Sequence, residues 1–190
     1  MKKVFVLALA FAGLTTAVKA QKGSILVGGD LDISSSTDKT VTPTNKTTSW
    51  AFDPTVGYQF SDHFTAGITA AIGSVKNDNG TSFTQSSFEV GPFVRYSKSL
   101  SDIFSVYGQL QALFGSQTTS PSTTTVSQTS IGFFPAAFVN LKNNFGLNFS
   151  FGGISYGSTK PSGGSASSNF DFNFGKTVNI GISKNFGGKK

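Results

Sequence analysis

The residues able to do chemistry are few. Four carboxylates, Asp30, Asp32, Asp53 and Glu89, and one guanidinium, Arg95, lie in segments whose residues alternate between apolar and polar. Alternation of that kind sends successive side chains to opposite faces of a strand, so these five belong to polar faces. Gathered on one side of a sheet they describe a cation-preferring lumen or a charged gate. They serve equally as hydrogen-bonded filler of an interior just wide enough for side chains. The single histidine, His63, sits in Ser61-Asp62-His63, a predicted turn, and has no site beside it in which to act as a general base. Asn77-Asp78-Asn79-Gly80 opens like a calcium loop but lacks the acidic ligand downstream, and Asn-Gly is more simply a hairpin turn. No Walker loop, zinc spacing or dinucleotide fingerprint is present, so no catalytic residue, cofactor or metal is expected.

The elements that must position the charged residues are legible around Trp50 to Gly73. Trp50, Phe52, Pro54, Val56, Tyr58 and Phe60 hold every second position on the way in, and Phe64, Ala66, Ile68, Ala70 and Ile72 on the way out. Only Ser61-Asp62-His63 separates them, which makes an antiparallel hairpin with one apolar side. Further strands follow the same rule. Strand one, about Ser24 to Ser34, sets Ile25, Val27, Leu31 and Ile33 against Asp30 and Asp32. Strand four, Phe83 to Tyr96, sets Phe88, Val90, Val94 and Tyr96 against Glu89, Phe93 and Arg95. Strand five sets Phe104, Val106, Leu110 and Phe114 against Tyr107, Gln109 and Gln111. Strand six, Ile131 to Leu141, is ambiguous because Phe133 and Phe134 point opposite ways. Strand seven alternates Phe145, Leu147, Phe149 and Phe151 with Gly146, Asn148 and Ser150, and strand eight ends in Val178, Ile180, Ile182 and Phe186.

Eight strands result, joined by two kinds of connection. Short ones fall at 61–63, 97–102 and 142–144; long ones, rich in Ser, Thr, Gly and Asn, at 35–48, 74–82, 116–128 and 157–169. Pro54, Pro92 and Pro135 each lie a few residues before a short turn. Proline inside a paired strand removes a ladder hydrogen bond, so these places call for an edge or a bulge. The Ser-Asp-x-Phe turn at Ser61 recurs at Ser101-Asp102-Ile103-Phe104.

The N-terminus has a different grammar. Met1-Lys2-Lys3, an apolar run from Val4 to Leu14 and small residues up to Val18-Lys19-Ala20 have the layout of a secretory leader cut after Ala20. The run is shorter than the roughly 20 residues a membrane helix needs. Fifteen Lys and Arg face nine Asp and Glu over the whole chain, and loss of the three leader lysines leaves twelve against nine. That excess is too mild for nucleic acid. Exported domains of modest size commonly rely on disulfides, yet cysteine is absent, so another closure must stabilise this one. Mean hydropathy is −0.02 despite twenty phenylalanines, a low average with strong local alternation that fits strands showing lipid half their side chains.

Pro54-Thr55-Val56-Gly57-Tyr58-Gln59-Phe60-Ser61-Asp62-His63-Phe64-Thr65-Ala66-Gly67 resembles the pattern of the outer membrane protein beta-barrel domain family, small eight-stranded barrels of the OmpA and OmpX types. As architecture the resemblance covers residues 21–190; in sequence it is specific to this hairpin. It implies an all-β, antiparallel, up-and-down transmembrane barrel behind a cleavable signal peptide at 1–20. The implied home is the Gram-negative cell outer membrane, with periplasmic termini and extracellular long loops. The implied partners are membrane lipid, lipopolysaccharide and, during biogenesis, the barrel-assembly machinery. The family ends on an aromatic that signals assembly; here Phe186 is followed by Gly187-Gly188-Lys189-Lys190, a departure from that pattern.

Lys176 and Lys184 share the outward parity of Val178, Ile180 and Ile182, so they are expected to bracket the apolar band, with Phe170, Phe172 and Phe174 above it. The role expected is structural or surface-interacting and not enzymatic, with a monomer favoured. A narrow porin-like channel for ions or small solutes and an exported soluble β-sandwich are the alternatives.

Overall fold

The computed structural model describes residues 22–40, 42–122 and 124–187, the side chains at 176 and 177 excepted. The predicted leader and the cleavage point after Ala20 lie outside them. Eight strands follow one another: β1 (Ser24–Asp38), β2 (Asn45–Gln59), β3 (Phe64–Asp78), β4 (Ser82–Ser99), β5 (Phe104–Ser120), β6 (Thr124–Lys142), β7 (Phe145–Pro161) and β8 (Ser167–Gly187). Each pairs antiparallel with the next and β8 returns to β1, which closes the sheet into a barrel. Closure leaves no edge along the joined length and stands in for the missing disulfides.

Local chemistry sets the turns at the end carrying the termini. Ser61 Oγ accepts the Phe64 N–H at 3.0 Å and Ser101 Oγ accepts that of Phe104 at 3.1 Å. In both, the Phe carbonyl takes two backbone N–H groups, from Phe60 and Ser61 and from Leu100 and Ser101. The Ser-Asp-x-Phe repeat is thus one turn built twice. The third turn, Asn143-Asn144, has φ of 51° and 59°, the pair of left-handed residues that a tight hairpin needs and asparagine tolerates. At the opposite end Asp78 and Asn79 side chains accept the N–H groups of Gly80 and Thr81, and Gly80 has φ of 92°, a turn in place of a calcium loop.

The four connections predicted to be long are short. Strand one reaches Asp38 where Ser34 was expected, and β6 begins at Thr124, not Ile131. Most of 35–48, 74–82, 116–128 and 157–169 is strand. Alternation of apolar and polar residues marks a strand only where one face meets lipid or core. Beyond that zone both faces are wet, and Ser/Thr pairs such as Ser34–Ser49, with Oγ atoms 2.7 Å apart, hold the ladder with no hydrophobic pattern to betray it.

The prolines sit in the barrel wall, not on an edge. Pro54 pairs with Gly29 of β1, while the rungs from β2 to β3 skip Asp53 and Pro54. Pro92 pairs with Ile68 of β3, while those from β4 to β5 skip Gly91 and Pro92. Pro135 pairs with Gly108 of β5, and a register shift between Phe133 and Ala136 carries β6 past it towards β7. Each missing N–H therefore falls on the side of the following strand. Strand six is no longer ambiguous: its alternation runs unbroken against β5, with Phe133 exposed on the outer wall and Phe134 lining the lumen. A second irregularity, between Ser150 and Gly152, opposes Phe151 alone with residues 175–178 of β8, and Gly152 and Gly175 have φ of 86° and 75°. It swaps the outer face of β7 from odd residues to Ile154 and Tyr156, and it places Lys176 in a bulge where simple alternation had put it in a regular strand. Its side chain lies outside those described.

The core is the inside of the tube. Leu26, Phe93, Leu113 and Ala136 are buried there. Phe93 lies against Gly57 and Gly67, where an added Cβ would come within 2.8 Å of the ring, so bare backbone makes the floor on which the phenyl packs.

Candidate functional site in the lumen

Arg95, the only arginine in the sequence, sits in the middle of the tube. Its backbone is paired with Gln109 on β5, which brings the side chains to the same height. The guanidinium donates through Nε and Nη2 to Gln109 Oε1 at 3.0 and 2.6 Å, and it lies over the Tyr107 ring with its central carbon 4.0 Å from the centroid. Gln109 Nε2 donates onward to Gln111 Oε1 at 2.7 Å. Tyr107 Oη donates to Asn148 Oδ1 at 3.2 Å, and Asn148 Nδ2 to Ser183 Oγ at 2.9 Å. One connected set of side chains thus runs from β4 through β5 and β7 to β8.

This set divides the lumen. A cavity of about 200 Å³ lies on one side, lined by Asp30, Asp53, Thr55, Gln111 and Asn179 among others. A second, of about 230 Å³, opens towards the termini and is lined by Asp62, Ser99, Asp102, Asn140 and Asn185. Leu26, Arg95, Tyr107 and Ser183 line both, so they form the septum between them.

The five polar residues expected to cluster do so in part. Asp30, Asp53 and Arg95 share the first cavity. Asp32 instead lines a recess nearer the far mouth with Ser49, Ser87 and Gln117. Glu89 lines another, where it accepts the Ser130 hydroxyl at 3.2 Å. The strands cross the barrel obliquely, so equal distance from a turn does not mean equal height and angle. Arg95 directs its donors to Gln109 and not to a carboxylate. Tyr107, Gln109, Gln111, Asn148 and Ser183 were legible as inward-facing but not as a unit; the signal available was their shared level with Arg95. His63 is a turn residue whose Nδ1 lies 3.1 Å from the Ser97 carbonyl oxygen and whose ring packs on Tyr96.

Outside, the barrel reverses the polarity of a water-soluble protein. Ile25, Val27, Val56, Ile68, Val94 and Leu110 are exposed on the wall. Aromatic residues bound them at two levels: Tyr58, Phe64, Tyr96, Phe104 and Phe186 towards the termini, and Trp50, Phe52, Phe88, Phe114 and Tyr156 away from them. Phe64 meets Phe60 stacked at 6.1 Å and Tyr96 edge-on at 5.2 Å, and the Lys184 ammonium rests 4.9 Å from the Phe186 ring, at the polar margin expected of it. From Phe104 to Phe114 along β5, about 3.3 Å per residue at a tilt of roughly 40° gives an apolar band about 25 Å tall.

That is the height of hydrocarbon an outer-membrane barrel must match. A model of the outer membrane protein beta-barrel domain matches residues 4–187. The chain belongs to this family. It is an outer-membrane β-barrel protein, and the soluble sandwich gives way to a closed sheet with its oily side outward. A search of curated proteins finds no match. Among solved structures, the chain is similar to the outer membrane protein Ail of Yersinia pestis in a phospholipid bilayer nanodisc, at 16% identity over 87% of this chain and 100% of that one, with a TM-score of 0.35. It is similar also to the translocator domain of the autotransporter NalP from Neisseria meningitidis, at 15% identity over 99% of this chain and 76% of that one, with a TM-score of 0.41.

Proposed function

We propose that this barrel is a structural or surface-interaction element of the outer membrane, without catalytic activity and without a conducting pore. In this reading residues 1–20 are removed after Ala20, the terminal end and its three turns face the periplasm, and the four hairpin tips face outward. The barrel-assembly machinery inserts it through its C-terminal strand, and it stands as a monomer among lipid and lipopolysaccharide. The observation that carries the reading is the septum: Arg95, Tyr107 and their partners occupy the axis between two cavities of about 200 and 230 Å³. An ion crossing this level would have to displace a stacked, hydrogen-bonded guanidinium. The narrow-channel reading draws on the acidic lining above it, Asp30 and Asp53, and requires the septum to open.

Planar-bilayer recording separates the two. The native protein is expected to give no steps above background, and the Arg95→Ala, Tyr107→Ala double variant to give steps with cation preference. Native conductance would replace the structural reading with the channel.

A further inference from the structure

The wall of the barrel is not joined over its full height. Rungs between β1 and β8 run from Ser24↔Gly187 to Asp30↔Gly181 and stop. β1 nevertheless continues, paired with β2, up to Asp38↔Asn45, and β8 continues, paired with β7, up to Thr159↔Ser167. Beyond the last rung, therefore, β1 is paired on one side only, as is β8 above its bulge at residues 175–178, and the gap lies between two unjoined strand edges.

Three properties of this gap specify its occupant. The first is backbone. Unpaired N–H and C=O groups along an edge are a template for an added strand. From Ser24 to Asp30 is a climb of about 15 Å, so the edges begin inside a band about 25 Å tall, where lipid tails cannot bond them. The second is the outer rim. The four most exposed large apolar side chains among the described residues flank the gap: Ile33 at 72%, Phe170 at 69% and Phe172 and Phe174 at 66% each. Paired strands elsewhere shield such side chains from two sides; these lack one neighbour. The third is the lumen side. The alternate positions carry Asp32 on β1 and Asp171 on β8. Negative charge there calls for a basic partner.

An extended backbone, apolar on alternate residues and basic on those between, answers all three requirements. An acyl chain answers only the second. We propose that the gap receives such a segment from another protein, laid antiparallel along Leu31–Asp38 with its apolar residues continuing the rim and its basic residues reaching Asp32 and Asp171. This gives the surface-interaction role proposed above a place and a partner chemistry, and it rests on that reading.

The chain has no cysteine, so a lock can be introduced cleanly. Continuing the rung Asp30↔Gly181, Ile33 would stand opposite Val178, the bulge residue next to the paired Asn179. A double variant, Ile33→Cys with Val178→Cys, should shut the gap on oxidation and release it on reduction. The probe is a fluorescent eight-residue peptide alternating isoleucine and lysine, with a glutamate-for-lysine version as control, added to protein folded in neutral phosphatidylcholine vesicles. Saturable binding of the lysine peptide to the native barrel is expected, about tenfold tighter than the control. The oxidised double variant should lose that binding and recover it on reduction, and Asp32→Asn with Asp171→Asn should weaken it about tenfold. Absence of saturable binding to the native barrel, or equal binding by the oxidised and reduced forms, overturns the proposal. So does self-crosslinking of the Ile33→Cys single variant into dimers, which would make a second copy the occupant, or displacement of the peptide by lipid alone. Heat-modifiable gel migration of each sample keeps this apart from the reading it rests on: if the native protein lacks it, the barrel itself is at fault.

Discussion

The terminal half of the barrel and its far half are made of the same eight strands under different rules. In the terminal half one face of every strand is apolar, aromatics mark the margins and the lumen is crossed by a connected set of side chains. In the far half Ser and Thr occupy both faces, and hydroxyl pairs take the place of packing. The contrast shows side-chain pattern following the solvent, alternating where it is hydrocarbon and uniformly polar where it is water, whereas the β1/β8 join already lapses within the apolar band.

Substitutions can break this contrast or sharpen it. The largest effect is expected for Phe93→Ala, which empties the best-buried aromatic site and should destabilise by about 3–5 kcal/mol in urea titrations of vesicle-folded protein. A loss under 1 kcal/mol would mean that the lumen repacks freely and the two halves are alike inside. Next comes Ile68→Arg, at the middle of the apolar band, with an expected loss of about 2–4 kcal/mol by the same titration. Its companion, Thr48→Arg in the far half, should be neutral; equal losses would erase the proposed boundary between lipid and water. Asn143→Val, which forces a branched side chain into the left-handed region, should cost about 1–2 kcal/mol. The smallest change is at Asp38, beyond the band, where the Thr40 hydroxyl at 2.6 Å and the Thr40 N–H at 2.8 Å hold the carboxyl below its ordinary range. A lowered value in the folded state means that the contribution is present above the ordinary carboxylate pKa and lost as pH falls through the depressed one. Acidification should therefore loosen this tip alone, seen as a lower amide protection factor at Thr40 after correction for the intrinsic pH dependence of exchange, and Asp38→Asn should make that protection factor less sensitive to pH.

The sequence made the membrane half readable and the far half not, for one physical reason. Trp50 to Gly73 announces a hairpin because lipid demands a period of two, whereas Ser34, Ser35 and Thr47 are paired by backbone bonds that impose no pattern on side chains. The prolines marked breaks in the ladder correctly, but their direction depended on which neighbour each N–H faces, and that is visible only in the register. Phe133 and Phe134 could not be sorted by residue type, because either phenylalanine suits lipid or a packed lumen and only the paired wall shows which faces out. Asp30, Asp32, Asp53, Glu89 and Arg95 could be read as sharing a polar parity, yet their grouping follows from strand tilt, which no residue type encodes. The septum escaped because its members, apart from Arg95, are uncharged.

The three prolines carry one further consequence. Each interrupts bonding to the strand that follows and leaves intact the bonding to the strand before it, so β1–β2, β3–β4 and β5–β6 are unbroken hairpins, meeting their successors at weaker joins. The tube is accordingly a set of prefabricated staves. A lineage could gain or shed one stave at a time, widening to ten strands or narrowing to six, while every remaining stave kept its internal bonds and only the perforated lines between them were cut and resewn.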